Sequence, residues 1–103
     1  MVPNGFKPLE RTSPVIEMIG PVYARGEGAG LVLAVRAERK HCNTRGTVHG
    51  GILATLADIA LGYACVAASE DGQSRNFVTI DLAVEYLAAT QAGDWLYSEV
   101  KVM

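Results

Sequence analysis

The run from Gly50 to Ser69 contains one charged residue, Asp58, in an otherwise apolar, small-residue segment. A stretch of that length and composition reads as a helix that must be covered over most of its circumference. A membrane is one possible cover. The most apolar part, Ile52 to Ala68, is slightly short for a span, and Asp58 near its middle would cost about 2.5–3.5 kcal/mol on an insertion scale. The expectation is therefore a buried helix of a globular domain, without a membrane partner. An ionised carboxylate on such a helix is costly unless something pairs with it or uses it, which makes Asp58 a candidate functional residue. The helix start is another. Its first backbone N–H groups lack intrahelical acceptors, and the dipole makes that end favourable for negative charge. Gly50 and Gly51 place no side chain between those N–H groups and an approaching ligand. A carbonyl oxygen becoming an oxyanion would fit there; a tight loop-to-helix turn is the purely structural alternative.

At 103 residues the chain is long enough for one domain, residues 1–103. Nine basic and eleven acidic side chains nearly cancel, and no basic patch interleaved with aromatics is visible, so nucleic acid is not an expected partner. Two cysteines, Cys42 and Cys65, are too few for a disulfide framework and read as buried thiols in a reducing compartment. The opening MVPNGFKPLERTS lacks the apolar core of a signal peptide, and a cytoplasmic location is expected. His41, Cys42, His49 and Cys65 do not have zinc-site spacing. The GxSxG nucleophile elbow and the GxxxxGK[ST] phosphate loop are both absent. Neither a metal nor a cofactor is expected.

Local patterns divide the chain into short pieces. A helix within Phe6 to Ile19 would start with Ser13 as cap and Pro14 in the first turn. Val15, Ile16 and Ile19 would share its inner face, and Gly20 and Pro21 would stop it. Val22 to Arg25 reads as a strand, Gly26 to Gly30 as a turn, and the alternation of Leu31, Leu33 and Val35 as a second strand. The loop from Thr44 to Val48 leads into the long helix, Gly50 to about Ala68. Glu70 to Ser74 reads as a polar turn, and Phe77 to Leu87 as the clearest strand, with Val78, Ile80, Leu82, Val84 and Tyr86 on one face. After a turn through Gly93, Asp94 to Met103 begins another strand. Strands around one long apolar helix give an α+β domain, a curved antiparallel sheet packed on that helix.

The segment HCNTRGTVHGGILATLAD, His41 to Asp58, resembles the hotdog-fold acyl-CoA thioesterases, in particular the phenylacetate-pathway (PaaI-like) branch. Asn43, the histidine six residues later, the glycine after it and the aspartate eight further on keep that family's spacing. The resemblance resumes in VTIDLAVEYL, Val78 to Leu87, and at Gly93 and Asp94. It implies a hotdog fold, with a sheet wrapped around a central helix. It also implies two further strands beyond the one beginning near Asp94, so the domain is expected to be truncated at its C-terminus with an unpaired sheet edge.

The resemblance further implies hydrolysis of an acyl-CoA to free acid and CoA, in a homodimer or homotetramer with sites shared between subunits. Gly50 N–H is the oxyanion candidate. Asp58 is the candidate general base or nucleophile, with an ion pair or capping contact as the structural alternative; partial desolvation is expected to suit it to proton abstraction. Asn43 would hold the carbonyl or the loop, or be an Asx-turn residue. His49 would orient Asn43, touch the thioester, or simply bond backbone at the helix start. Thr79 would help position water, or be a strand threonine favoured by β-propensity. Eight residues of helix separate Gly50 from Asp58, about 12 Å of rise. If both act on one thioester they are expected to come from different subunits. The rival expectation is an inactive, truncated hotdog domain that binds acyl ligands or only self-associates.

Overall fold

The computed structural model describes residues 2–68, 80–82 and 90–102. Among these residues, six strands, two α-helices and two 3₁₀ turns follow in the order β1 (Lys7–Pro8), α1 (Pro14–Ile19), β2 (Val22–Arg25), a turn at Gly28–Gly30, β3 (Val32–Arg36), a turn at Arg39–His41, α2 (Gly50–Ala68), β4 (Ile80–Leu82), β5 (Trp95–Tyr97) and β6 (Val100–Val102). Among them β1, β2, β3 and β5 form an antiparallel sheet in that spatial order, and β4 pairs antiparallel with β6. A curved antiparallel sheet with one long helix makes this an α+β hotdog fold.

The alternation of side chains explains how the sheet meets the helix. Val22 and Ala24 on β2 and Leu33 and Val35 on β3 face inward, and Leu56, Ile59, Ala60 and Tyr63 of α2 pack against that cluster with Ile16 of α1. Fully burying a Val, Leu or Ile side chain is worth about 1.5–3 kcal/mol, so Ile16, Val22, Leu33 and Val35 anchor the domain. The outer face is aromatic. Ala34 is paired with Tyr23 on one side and Tyr97 on the other. Tyr23 meets Trp95 edge-on at 5.8 Å, and Phe6 meets Tyr97 at 5.7 Å beneath the Arg25 guanidinium.

Several sequence expectations change here. The helix within Phe6 to Ile19 does start as expected: it runs over Pro14–Ile19, capped by Ser13, whose Oγ accepts the Ile16 N–H at 3.3 Å. Lys7–Pro8 instead adds an edge strand against β2, helped by the Leu9 N–H bond to the Val22 carbonyl. Ile16 and Ile19 are buried as expected, but Val15 points outward. Cys42 and Cys65 are free thiols, each partly exposed rather than buried. The expected strand from Asp94 onward is two strands. At their junction the Ser98 N–H donates to the Leu33 carbonyl at 2.9 Å, while the Leu33 N–H donates to the Ser98 hydroxyl at 2.8 Å. A side-chain oxygen there replaces a main-chain acceptor, the ladder with β3 ends, and the chain crosses over to pair with β4. Ser98→Ala leaves the Leu33 N–H without its acceptor and is expected to cost about 1–3 kcal/mol, read as a lower denaturant midpoint with an unchanged m-value. Of the Phe77–Leu87 strand, only Ile80–Leu82 lies within the described residues; the Glu70–Ser74 turn lies outside them.

Helix α2 runs over Gly50–Ala68 as expected, but it is far less covered than a buried helix would be. Among its described side chains only Ala60 and Ala64 are buried. By length and composition alone it could cross a membrane; here one side of it lies on the sheet. Residue 58 is about 200° around the helix from residue 60, and Asp58 is accordingly exposed. The expectation that Asp58 is desolvated within this chain is therefore corrected. Its face of α2 is turned away from the sheet.

Candidate functional site

Residues 41–50 form a tight hairpin that delivers the start of α2. Cys42 bridges Val48, the Asn43 N–H donates to the Thr47 carbonyl at 2.8 Å, and the His49 N–H donates to the His41 carbonyl at 2.8 Å. Val48 is buried and donates its N–H to the Thr90 carbonyl, which ties the hairpin to the segment before β5. At the tip, Gly46 takes φ = 80°, a left-handed conformation that an L side chain rarely adopts.

Asn43 folds back on this hairpin. Its Oδ1 accepts the Arg45 N–H at 2.9 Å and the Thr47 N–H at 3.3 Å, and its Nδ2 donates to the Thr47 hydroxyl at 3.0 Å. This is the Asx-type arrangement that shapes the loop. It commits one of the two amide N–H donors and leaves the second without a protein acceptor among the described residues. Thr47, absent from the candidates the sequence suggests, is thus the residue that holds Asn43. A threonine four residues after an asparagine, across a glycine turn, was the available signal.

His49 caps α2. Its Nδ1 accepts the Gly51 N–H at 2.9 Å, in the manner of an N-cap side chain. Gly51 is small for a local reason: a Cβ there would meet that ring nitrogen at 3.3 Å. No hydrogen bond joins His49 to Asn43. Because Nδ1 accepts, the ring proton sits on Nε2, which has no protein partner among the described residues. Gly50 differs from its neighbours. The N–H groups of His49 and Gly51 are both bonded, whereas the Gly50 N–H between them has no acceptor among the described residues. A Cβ on Gly50 would meet nothing within 4 Å, so this chain's own packing does not demand a glycine there.

Asp58 opens into a different place, a groove between α1 and α2 bordered by Arg11, Ile16, Gly62 and Tyr63. The Tyr63 hydroxyl donates to the Arg11 carbonyl across it. Asp58 itself makes no hydrogen bond or ion pair among the described residues. An apolar cavity of about 70 Å³ lies on the opposite side of α2, against the sheet, between Leu53, Leu56, Ala57, Leu33 and Leu96. One chain therefore carries Asn43, His49 and Gly50 in the hairpin that starts the helix and keeps its carboxylate more than two turns away. Thr79 lies outside the described residues. Among the described residues no group of acidic, histidine or cysteine side chains is arranged to hold a metal ion.

Residues 45–103, more than half of the chain, match the family model described as "Thioesterase superfamily". The chain belongs to the thioesterase superfamily. It is 43% identical over 102 residues to "Putative esterase PA0474" of Pseudomonas aeruginosa, covering 98% of this chain and 75% of that protein. It is 30% identical over 80 residues to mouse "Acyl-coenzyme A thioesterase 13", covering 78% of this chain but 54% of the mouse protein. Among solved structures, the E. coli PaaI protein of the phenylacetic acid degradation operon aligns with a TM-score of 0.61 at 20% identity, over 84% of this chain and 59% of that one. Zebrafish thioesterase superfamily member 2 aligns with a TM-score of 0.59 at 28% identity, over 82% and 61%. This thioesterase-superfamily chain thus spans between about half and three quarters of the length of the curated relatives it matches.

Proposed function

We propose that this chain is a cytoplasmic acyl-CoA thioesterase, releasing the free acid and CoA at sites shared between two copies. The observation that carries the reading is the Gly50 N–H, without an acceptor among the described residues between two committed amides at a helix start, where the dipole favours developing negative charge. The name of the mouse relative supports acyl-CoA as the substrate class, and that of the Pseudomonas relative supports ester-type hydrolysis.

In this mechanism the thioester carbonyl oxygen accepts from the Gly50 N–H and the spare Asn43 amide donor, with the His49 Nε2–H beside them. The partner copy contributes Asp58, whose carboxylate takes a proton from water as the water oxygen attacks the carbonyl carbon. Thr79 from the same copy as Asp58 helps hold that water. The tetrahedral oxyanion rests on the Gly50 N–H. As it collapses the C–S bond breaks, the thiolate leaves, and the proton held by Asp58 passes to sulfur. Dimerisation would desolvate an Asp58 that is exposed in one chain, and would cover the open face of α2; a tetramer would satisfy the same requirement.

Steady-state release of CoA thiol from a panel of aryl and medium-chain acyl-CoAs, with sedimentation of the same sample, tests this reading. Turnover by a dimer or tetramer is expected. An active monomer would overturn the shared site, and a folded oligomer without turnover would favour a domain that binds acyl ligands or only self-associates.

A further inference from the structure

His41 is the largest fully buried side chain among the described residues, 1% exposed, and the mechanism above does not use it. A buried polar ring is costly unless its nitrogens are satisfied, and both are. Nδ1 accepts the Glu38 N–H at 2.9 Å, closing the Arg39–His41 turn into a reciprocal capping box with the Glu38 side chain. Nε2 lies 2.5 Å from the Ile19 carbonyl. With Nδ1 accepting, the proton is on Nε2 and donates to Ile19. The neighbouring Lys40 ammonium donates to the Gly20 carbonyl. Two consecutive carbonyls at the end of α1, which a helix end leaves without intrahelical donors, are therefore capped by two consecutive residues of the turn that precedes the hairpin.

The main chain of His41 carries the consequence. Its carbonyl accepts the His49 N–H, and the His49 ring in turn accepts the Gly51 N–H. A continuous set of bonds runs from the Ile19 carbonyl through the His41 ring and carbonyl to His49 and Gly51, on either side of the uncommitted Gly50 N–H. Beyond this set of bonds the hairpin is held by the Val48 N–H bond to the Thr90 carbonyl and by the bridge between Thr47 and Gln91. Thr44, Arg45, Gly46, His49 and Gly50 are all exposed, and Val48 is the buried apolar residue within it. An apolar side chain at position 41 could fill the space but could bond neither Glu38 nor Ile19.

We propose that His41 is a positioning residue for the thioesterase site: its ring fixes the direction of its own carbonyl and so aims the Gly50 N–H. This rests on the function proposed above. Small misplacements of an oriented group cost heavily; a shift of about 1 Å can cost 10²-fold in rate. His41→Ala removes both ring bonds. His41→Asn places an oxygen where Nδ1 accepts and keeps the Glu38 bond alone. His41→Gln places an amide nitrogen near Nε2 and keeps the Ile19 bond alone.

The experiment measures kcat and KM for the oligomeric parent and the three variants, together with the backbone amide shifts of His49 and Gly50 by NMR. Expected is a fall in kcat of about 10- to 100-fold for His41→Ala, KM within about twofold, intermediate kcat for the Asn and Gln variants, and displaced His49 and Gly50 amides. If the Ala variant fails to fold, the Asn and Gln variants decide. Unchanged kcat in a folded variant, or reduced kcat with the His49 and Gly50 amides unmoved, overturns the proposal. A parent without turnover counts against the thioesterase reading instead, and the amide shifts alone then decide for His41: unmoved, they overturn its positioning role.

Discussion

Asp58→Asn is expected to lower thioester turnover by about 10²–10⁴-fold, the usual contribution of a positioned general base, while the protein stays folded and oligomeric. Asp58 is exposed in the single chain and makes no hydrogen bond or ion pair among the described residues, so the substitution breaks no intramolecular contact that would unfold it. Surface changes of this kind shift stability by less than about 0.5 kcal/mol. The diagnostic result is therefore a lost kcat beside an unchanged denaturant midpoint and an unchanged sedimentation coefficient. Wild-type turnover in the variant would remove Asp58 from the mechanism.

Gly50→Pro is expected to cost about 10²–10³-fold in kcat, as removal of one oxyanion-hole donor does elsewhere. Proline has no backbone N–H, so it deletes the proposed donor and little else. Gly50 is the first residue of α2, the position where proline is best tolerated in a helix. A Cβ there meets nothing within 4 Å, and the glycine does not sit at positive φ. Gly50→Ala, which keeps the N–H, is the control: it is expected to keep kcat, to gain about 0.4–1 kcal/mol of stability through the unfolded chain, and to raise KM if a thioester approaches that face. Equal kcat losses in both variants would point to crowding rather than to the lost donor. Mixing the Pro and Asn variants then tests the shared site. In a two-fold dimer assembled at random, half the dimers are mixed and each carries one intact site, so about a quarter of the parental activity should return. No recovery after verified subunit exchange would place both residues in the same chain's site.

Much of this architecture was legible in the sequence because it rests on local rules. Ser13 and Pro14 start α1, Val22 to Arg25 forms the strand its pattern suggests, and Gly50 to Ala68 is one helix because its apolar run has no breaker that can interrupt it. What local rules could not supply is the partner of each surface. Asp58 reads as buried when only the composition of its helix is considered; the fold turns its face away from the sheet. The strand beginning near Asp94 breaks at Ser98 because of a hydroxyl that bonds Leu33, sixty-five positions earlier, a contact with no trace in the local pattern. His41 has no metal-site spacing to mark it in the sequence, yet its two bonds reach Glu38 and Ile19. Thr47 carries no motif of its own because its role is to hold Asn43. Both are residues that act on neighbours, and periodicity does not mark such residues.

The cap at the start of α2 also limits what His49 can do. Its Nδ1 lone pair is occupied by the Gly51 N–H, and its Nε2 carries the proton. In that state the ring has no free lone pair with which to accept a proton from water; it can only donate. An imidazole standing beside a scissile carbonyl would ordinarily be the first suspect for deprotonating the nucleophile, and here the helix has already claimed the nitrogen that would do it. The division of labour we propose, between an electrophile-binding end and a distant proton-accepting carboxylate, agrees with how the helix begins.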